Sequence, residues 1–302
     1  MNTNTSENNL DRKALTWYLM LSFGIAWILF LVPLLWEAGS QASLTSSLLS
    51  WSAAMWVPGA AALLVTRFIQ QKPLGSLNLK RLGPKRIYLW AWLVPLLASL
   101  GAGLITWLLG WGQLDLTFSQ IVDAASEIPD QIPLSLPAVV AIQILAGILI
   151  GPLINTLFAL GEELGWRGFL LPELLPLGQN RAILISGLIW GLWHIPVIVQ
   201  GHNYPEAPVL GIFLMTAFTV LLGAFLSWLY FKTGSPWAPA LGHGAVNAVA
   251  ALSVIFFSEV NIIYGGTLTS VSGLIVLLMI IGGMYLTGKL PAEISEHVSR
   301  ET

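Results

Sequence analysis

Charged residues divide this chain into long uncharged stretches, and the lengths of those stretches limit what the chain can fold into. Each has at least 23 residues: 14–36, 38–66, 87–114, 131–161, 182–205, 207–231, 233–258 and 260–288. A helix needs about 20 mostly apolar residues to cross the hydrocarbon core of a bilayer, so every stretch can hold one span. No stretch alternates as a barrel strand would, and backbone groups in lipid must be satisfied within their own segment. We therefore predict eight transmembrane helices.

The predicted fold class is all-α, a polytopic membrane protein in which eight helices form one bundle. One membrane-embedded domain is expected over 14–289, with polar tails at 1–13 and 290–302. The chain is 56% hydrophobic and 9% charged, against roughly 25% charged residues in an average soluble domain, which excludes a soluble or disordered protein. A formal net charge of -2 gives no general attraction for nucleic acid. The chain has no cysteine, so any catalysis must use oxygen and nitrogen groups.

Basic residues orient the predicted spans, because segments rich in Lys and Arg stay in the cytosol. With the N-terminus inside, all 13 basic residues fall on the cytosolic side: Arg12, Lys13, Arg67, Lys72, Lys80, Arg81, Lys85, Arg86, Arg167, Arg181, Lys232, Lys289 and Arg300. The opposite side receives only acidic residues: Glu37, Asp115, Asp123, Glu127, Asp130, Glu206 and Glu259. We expect a multi-pass protein of the cell membrane with both termini in the cytosol.

Two adjacent carboxylates, Glu162 and Glu163, stand at the cytosolic end of the fourth span. If the helix continues, Glu163 and Arg167 are spaced i, i+4 and can pair, whereas Glu162 points about 100° away, toward the side of Trp166. One carboxylate would then be neutralised and the other left available for chemistry. The alternative is that both residues mark the point where the span leaves the membrane and are solvated there.

The fifth and seventh spans each carry polar groups one helical turn apart. Trp190 and His194 share a face, and Pro196 is expected to loosen the helix just beyond the imidazole. His243 and Asn247 likewise share a face, among small residues that let another backbone or a substrate approach. Each pair could equally serve helix packing, with the histidine or asparagine as a structural hydrogen-bond partner.

Together, one Glu, two His and one Asn suffice for water-mediated amide hydrolysis: a base, a group that holds the water and two oxyanion donors. Topology places Glu162 and His243 at compatible depths on the cytosolic side. His194 is about 18 Å along the fifth span from Arg181 and therefore deeper. That difference would vanish if residues 182–185 precede the helix, or if a re-entrant segment draws Glu162 inward.

The pattern resembles the type II CAAX prenyl endopeptidases and their bacterial relatives, the CPBP or Abi intramembrane glutamic proteases. Three family motifs occur in order, as Glu162-Glu163-x-x-x-Arg167, Trp190-x-x-x-His194 and His243-x-x-x-Asn247, within about residues 155–250. The second motif usually opens with Phe, and this chain has Trp190. We expect that change to affect pocket shape, and with it substrate choice, more than chemistry.

The resemblance implies an intramembrane endopeptidase whose active site opens to the cytosol and needs no metal or other cofactor. Its catalytic residues would be Glu162 as general base, His194 on the water, and His243 and Asn247 as the oxyanion hole. The supporting residues would be Glu163 and Arg167, with Trp190 lining the site. The substrate would be a peptide or membrane protein, which could carry a lipid at its C-terminus.

Two alternatives stay open. The same polar groups could serve a non-catalytic membrane protein, either a bacteriocin-immunity factor or a small-solute carrier, although the chain shows neither duplicated halves nor paired broken spans. Alternatively, Glu162, His194 and His243 could bind Zn²⁺ in a zinc-dependent version of the same hydrolase, since two His and one Glu form a catalytic zinc set. No His-Glu-x-x-His helix supports the zinc site.

Overall fold

Helices dominate the computed structural model, which describes residues 10–119, 121–122 and 135–293; helix accounts for 74% of it. The α-helices are α1 (Arg12–Leu31), α2 (Gln41–Ala54), α3 (Val57–Leu64), α4 (Arg86–Leu108), α5 (Leu136–Leu149), α6 (Gly151–Gly165), α7 (Leu171–Leu174), α8 (Gln179–Trp193), α9 (Ile195–Val199), α10 (Pro208–Thr233), α11 (Trp237–Val249) and α12 (Val271–Leu286). Shorter π and 3-10 turns connect them: Val32–Leu35, Val65–Ile69, Leu74–Leu77, Trp166–Leu170, Leu175–Leu177 and Leu252–Phe256. The mainly helical fold agrees with the sequence prediction.

Six helical segments within the described residues are long and apolar enough to cross a membrane. They are Arg12–Leu35, Gln41–Ile69, Arg86–Leu108, Pro137–Leu177, Pro208–Thr233 and Trp237–Phe256. The fifth predicted stretch instead holds the 15-residue α8 followed by the short α9, and the eighth holds the 16-residue α12. Pro196 explains the first break, because its ring cannot continue the hydrogen-bond ladder of α8. The chain is thus a multi-pass membrane protein, and the count of eight spans stays a prediction.

A small two-stranded sheet was missed by the all-α prediction. Strands β1 (Gly112–Leu114) and β2 (Phe257–Val260) pair antiparallel, with Gly112 opposite Val260 and Leu114 opposite Phe257. Strand β1 lies at the end of the 87–114 stretch, and β2 crosses Glu259, which separates the 233–258 and 260–288 stretches. Where the helices stop, these backbone groups need new partners, and the ladder supplies them.

The basic loops gather at one end of the bundle. Lys72 lies 3.7 Å from Glu173, the Arg81 Nε donates to the Thr233 carbonyl at 2.8 Å, and Gln179 donates to the backbone of the C-terminal segment at 3.0 Å. We call this the basic end, and the opposite end, where β1 and β2 lie, the strand end. Of the predicted polar tails, residues 1–9 and 294–302 lie outside the described residues, as do Asp123, Glu127 and Asp130.

Glycines let the helices that carry the motifs approach closely. A Cβ added to Gly244 in α11 would lie 2.5 Å from the backbone nitrogen of Thr156 in α6. One added to Gly161 in α6 would lie 2.7 Å from the Met55 carbonyl oxygen, beside the start of α3. These approaches are shorter than any real side chain tolerates, so α3, α6 and α11 reach their packing distance only through glycine.

Candidate active site

The three motifs line one cavity of about 610 Å³ in the described part of the bundle. Its lining includes Glu162 from α6, Trp190 and His194 from the end of α8, and His243 and Asn247 from α11. Water-mediated hydrolysis would require these side chains to meet, although they are far apart in the chain, and the structure brings them together. Their catalytic roles remain proposals.

Glu162 is held by two indoles. The Nε1 of Trp190 donates to Glu162 Oε2 at 2.7 Å, and the Nε1 of Trp166 donates to the same oxygen at 3.3 Å. The carboxylate is 2% exposed, and its second oxygen makes no hydrogen bond with the described residues. Trp166 lies one turn after Glu162, on the side that the helical geometry predicts. The arrangement fixes one carboxylate oxygen and leaves the other able to accept a proton.

Glu163 forms a buried triad with Arg167 and His243. Its Oε1 accepts from the Arg167 Nη1 at 2.8 Å and lies 2.9 Å from the His243 Nδ1. Glu163 and Arg167 are 0% and 1% exposed, and the i, i+4 pairing agrees with the prediction. Because a carboxylate can only accept, His243 donates through Nδ1, which leaves its Nε2 for other partners.

His194 has a defined tautomer if its ring is neutral. Its Nδ1 lies 2.8 Å from the Trp190 carbonyl oxygen, one turn earlier. A carbonyl oxygen can only accept, so Nδ1 carries the proton and Nε2 carries the lone pair. His194 also ends α8, immediately before the segment that contains Pro196, as expected. The helix end presents one imidazole nitrogen that can accept a hydrogen bond from water.

Trp190 contacts almost every part of this site. Besides its bonds to Glu162 and His194, its ring lies 5.1 Å from the His243 ring, centroid to centroid, and 4.5 Å from the Arg167 guanidinium carbon. The expectation that Trp in place of Phe affects pocket shape more than chemistry stays a prediction, to which the structure adds a direct polar contact. The indole N–H bonds the carboxylate directly, and no Phe could supply that donor.

The location of Glu162 also corrects the sequence reading. The helical run does not end at the glutamates but continues from Pro137 to Leu177 through the π-helical turn after Gly165. Glu162 and Glu163 are buried rather than solvated, which removes the alternative that they mark the end of a span. Glu162 therefore lies deep enough to meet His194. The suggestion that residues 182–185 precede the helix is wrong, because α8 already begins at Gln179.

Several cavity residues were not predicted. Asn155 lies about two turns before Glu162 on α6, and Thr219 comes from α10, which carries none of the motifs. His202 and Asn203, from the loop after α9, also line the cavity. Asn155 could have been predicted from the sequence, because it is a polar residue in an apolar helix and lies two turns before Glu162, on the same face. Nothing in the local sequence pointed to the other three.

The candidate zinc ligands Glu162, His194 and His243 do not cluster as a metal centre in the described part of the chain. Among the residues that the structure describes, no group of three or more His, Asp and Glu side chains is placed to hold a metal ion. The histidine Nδ1 atoms are already engaged, His194 with a carbonyl and His243 with Glu163. The zinc ligand set considered above therefore has no geometric support in this part of the chain.

Comparison with known proteins agrees with the motifs. Residues 131–249 match the family model described as type II CAAX prenyl endopeptidase Rce1-like. CAAX prenyl protease 2 of Homo sapiens is 33% identical over 93 residues, which cover 29% of this chain and 28% of the human protein. CAAX prenyl protease 2 of Arabidopsis thaliana is 29% identical over 124 residues, 39% of each chain.

These matches span well under half of the length of the curated relatives. Glu162, Trp190, His194, His243 and Asn247 all lie within the segment that matches the family model. The resemblance drawn from the three motifs is confirmed: this segment is similar to the type II CAAX prenyl endopeptidases.

Proposed function

We propose that this protein is an intramembrane endopeptidase that hydrolyses a peptide bond with water activated by Glu162. The observation that carries the proposal is that all three motifs line one cavity, with a carboxylate held on one oxygen and free on the other. Similarity to the CAAX prenyl proteases supports a membrane endopeptidase in general.

Glu162 would act as general base. As the water oxygen attacks the peptide carbonyl carbon, Glu162 takes one proton from that water. The neutral His194, with its lone pair on Nε2, would accept a hydrogen bond from the same water and orient it. The protonated Glu162 then returns the proton to the leaving nitrogen as the carbon–nitrogen bond breaks, giving a carboxylic acid and an amine.

His243 and Asn247 would stabilise the oxyanion. Asn247 offers an amide N–H₂ donor, and its side chain is exposed to the cavity. His243 can donate from Nε2 only when both ring nitrogens are protonated, and Glu163 at 2.9 Å stabilises that positive charge. Arg167 in turn balances Glu163. A donor placed before the reaction costs no reorganisation, and removing one typically slows catalysis by 10²–10³-fold.

The proposal also includes the orientation of the bundle in the membrane and the class of substrate. We place both termini and the basic end in the cytosol, with eight membrane-crossing segments, of which α8–α9 and α12 are the two short ones. The substrate would be a peptide or membrane protein, and the relatives named CAAX prenyl proteases suggest a lipid-modified C-terminus as one substrate class to test. The resemblance also implies that the cavity opens to the cytosol.

The test is a comparison of membrane-protein termini between cells that carry the wild-type chain and cells that carry Glu162→Gln. We expect one or more neo-termini to disappear in the variant. Glu173→Gln is the matched control, because Glu173 lies at the basic end beside Lys72 and does not line the cavity. Identical termini in wild-type and Glu162→Gln cells would refute hydrolysis and favour a binding role, such as immunity or transport.

Metal dependence is tested separately. Elemental analysis of the purified protein and cleavage after chelation distinguish the metal-free hydrolase from the zinc version. We expect substoichiometric zinc and unchanged cleavage in the presence of a chelator. Stoichiometric zinc with loss of cleavage on chelation would assign Glu162 and the histidines to metal binding instead.

A further inference from the structure

The helical hydrogen-bond pattern breaks where α8 gives way to α9, next to His194. Pro196 has no N–H to donate. The Val197 N–H donates to the His194 carbonyl at 3.1 Å rather than to the Trp193 carbonyl. The Trp193 carbonyl therefore loses its usual helical donor. Because Trp193 is only 1% exposed, that carbonyl needs a donor from another part of the protein.

Helix α1 supplies this donor. The Nε1 of Trp27 donates to the Trp193 carbonyl oxygen at 3.1 Å, and the Trp193 Nε1 donates in turn to the Ser22 carbonyl oxygen of α1 at 3.1 Å. Beyond α9, the Gln200 Nε2 donates to the Phe30 carbonyl oxygen at 2.9 Å. The break between α8 and α9 is thus bonded to α1 on both sides, and Trp193 is bonded through its backbone and its side chain.

The same helix end sets the proton position on His194. The His194 N–H donates to the Gly191 carbonyl at 3.1 Å, which leaves the Trp190 carbonyl to accept from the His194 Nδ1 at 2.8 Å. This side-chain bond exists only while the last turn of α8 keeps its geometry. Trp193, whose carbonyl Trp27 bonds, belongs to that turn.

Trp193 also contacts the site with its ring. The ring lies edge-on to His194, with 5.0 Å between centroids, and 5.9 Å from the ring of Trp166. Trp166 donates to Glu162, and Trp193 lines the cavity. A displacement of Trp193 would therefore be felt first by His194 and then by the indole that bonds the proposed base.

We infer that Trp27 is a positioning residue for the hydrolytic water. Its indole N–H secures the Trp193 carbonyl, which fixes the end of α8 and keeps the His194 proton on Nδ1 and the lone pair on Nε2. The inference rests on the proposed function. Trp27 lies outside residues 131–249, the segment that matches the family model, and belongs to none of the three motifs.

The first test is kinetic and uses Trp27→Phe, which removes the indole donor and keeps an aromatic ring. Trp17→Phe is the matched control, because Trp17 is on the same helix, is 43% exposed against 37% for Trp27, and makes no hydrogen bond with the described residues. The substrate is a peptide whose cleavage depends on Glu162. We expect Trp27→Phe to lower kcat by about 3- to 10-fold, the range for one neutral hydrogen bond, with KM and the control within about twofold of the wild type.

The second test is spectroscopic and does not depend on cleavage. The chain has four histidines, so the ¹⁵N signals of His194 in histidine-labelled protein are assigned by their absence in His194→Gln. At a pH where the ring is neutral, we expect the wild type and Trp17→Phe to show one tautomer, with the proton on Nδ1. Trp27→Phe should show a mixture of both tautomers. A loss of stability alone would lower the Tm without changing the tautomer of the folded protein.

Either a wild-type kcat or an unchanged His194 tautomer in Trp27→Phe would overturn the inference. The wild-type spectrum is informative even if Trp27→Phe misfolds, because a proton on Nε2 of His194 would contradict the positioning on which the inference depends. Unchanged cleavage in Glu162→Gln would instead refute the proposed function, and the His194 spectra would still report whether Trp27 positions this ring.

Discussion

Replacing Trp190 by Phe removes one hydrogen bond from the proposed base while keeping an aromatic ring in place. The bond from Trp190 Nε1 to Glu162 Oε2 is 2.7 Å long and lies between buried groups. A hydrogen bond to a charged group contributes about 1.5–3 kcal/mol. If that energy holds the carboxylate in its reactive position, its loss lowers kcat/KM by about 10- to 150-fold.

The remaining donor to Glu162 does not replace the lost one. Trp166 reaches the same oxygen at 3.3 Å, which is long for a strong hydrogen bond. We therefore expect Trp166→Phe to have a smaller effect than Trp190→Phe. Residual activity is expected in Trp190→Phe, because the family pattern usually has Phe where this chain has Trp190.

The assay is steady-state cleavage of a peptide taken from the neo-termini that depend on Glu162, with kcat and KM measured separately. Trp228→Phe is the matched control, because the buried Trp228 Nε1 has no hydrogen-bond partner among the described residues. A Trp190→Phe variant within twofold of the wild-type kcat/KM, and of the Trp228→Phe control, would refute the role of this bond. A change confined to KM would indicate that Trp190 shapes the pocket only.

Three further predictions concern stability. Gly244→Ala would place its Cβ 2.5 Å from a backbone nitrogen of α6. It should reduce the free energy of unfolding by about 1–3 kcal/mol and lower the Tm. Gly282→Ala, whose Cβ would have no atom within 4 Å, is the control and should not lower the Tm. Glu163→Gln leaves the buried Arg167 charge unbalanced and should cost about 3–5 kcal/mol, and a monodisperse variant with wild-type Tm would contradict the buried ion pair. Hydrogen bonds from Ser119 and Thr117 hold the pKa of Asp115 below its usual value near 3.8. The charged carboxylate therefore stabilises the fold above that pH, and this stabilisation is lost as the pH falls. Asp115→Asn should therefore lower the Tm at pH 7, and the difference in Tm between variant and wild type should be smaller near pH 3. An equal difference in Tm at both pH values would argue against this role of the Asp115 carboxylate.

Features that are set by residues close together in the chain were predictable from the sequence. The uncharged stretches locate the apolar helices, because a bilayer requires about 20 apolar residues in succession. Spacing of four along a helix predicts the Glu163–Arg167 pair and the approach of Trp166 to Glu162, and both are present. Those relations are set within one helix, where the geometry is the same in any context.

Relations between helices required the tertiary structure. Hydropathy measures length and apolarity only, so it could not show that β1 and β2 pair across the ends of two stretches. The break of the fifth span at Pro196, by contrast, was indicated by the proline itself. It also could not show that the helical run continues past Glu162, which buries the glutamates instead of solvating them.

The amino-acid sequence by itself determined that this chain is a helical membrane protein and identified the side chains for which we propose amide hydrolysis. Tertiary structure decided that Trp190 bonds Glu162, that His243 bonds Glu163, and that the three motifs line one cavity. The physical reason is that apolarity and helical spacing are encoded over a few turns of chain. Contacts between helices depend instead on how closely glycines such as Gly161 and Gly244 let the backbones pack.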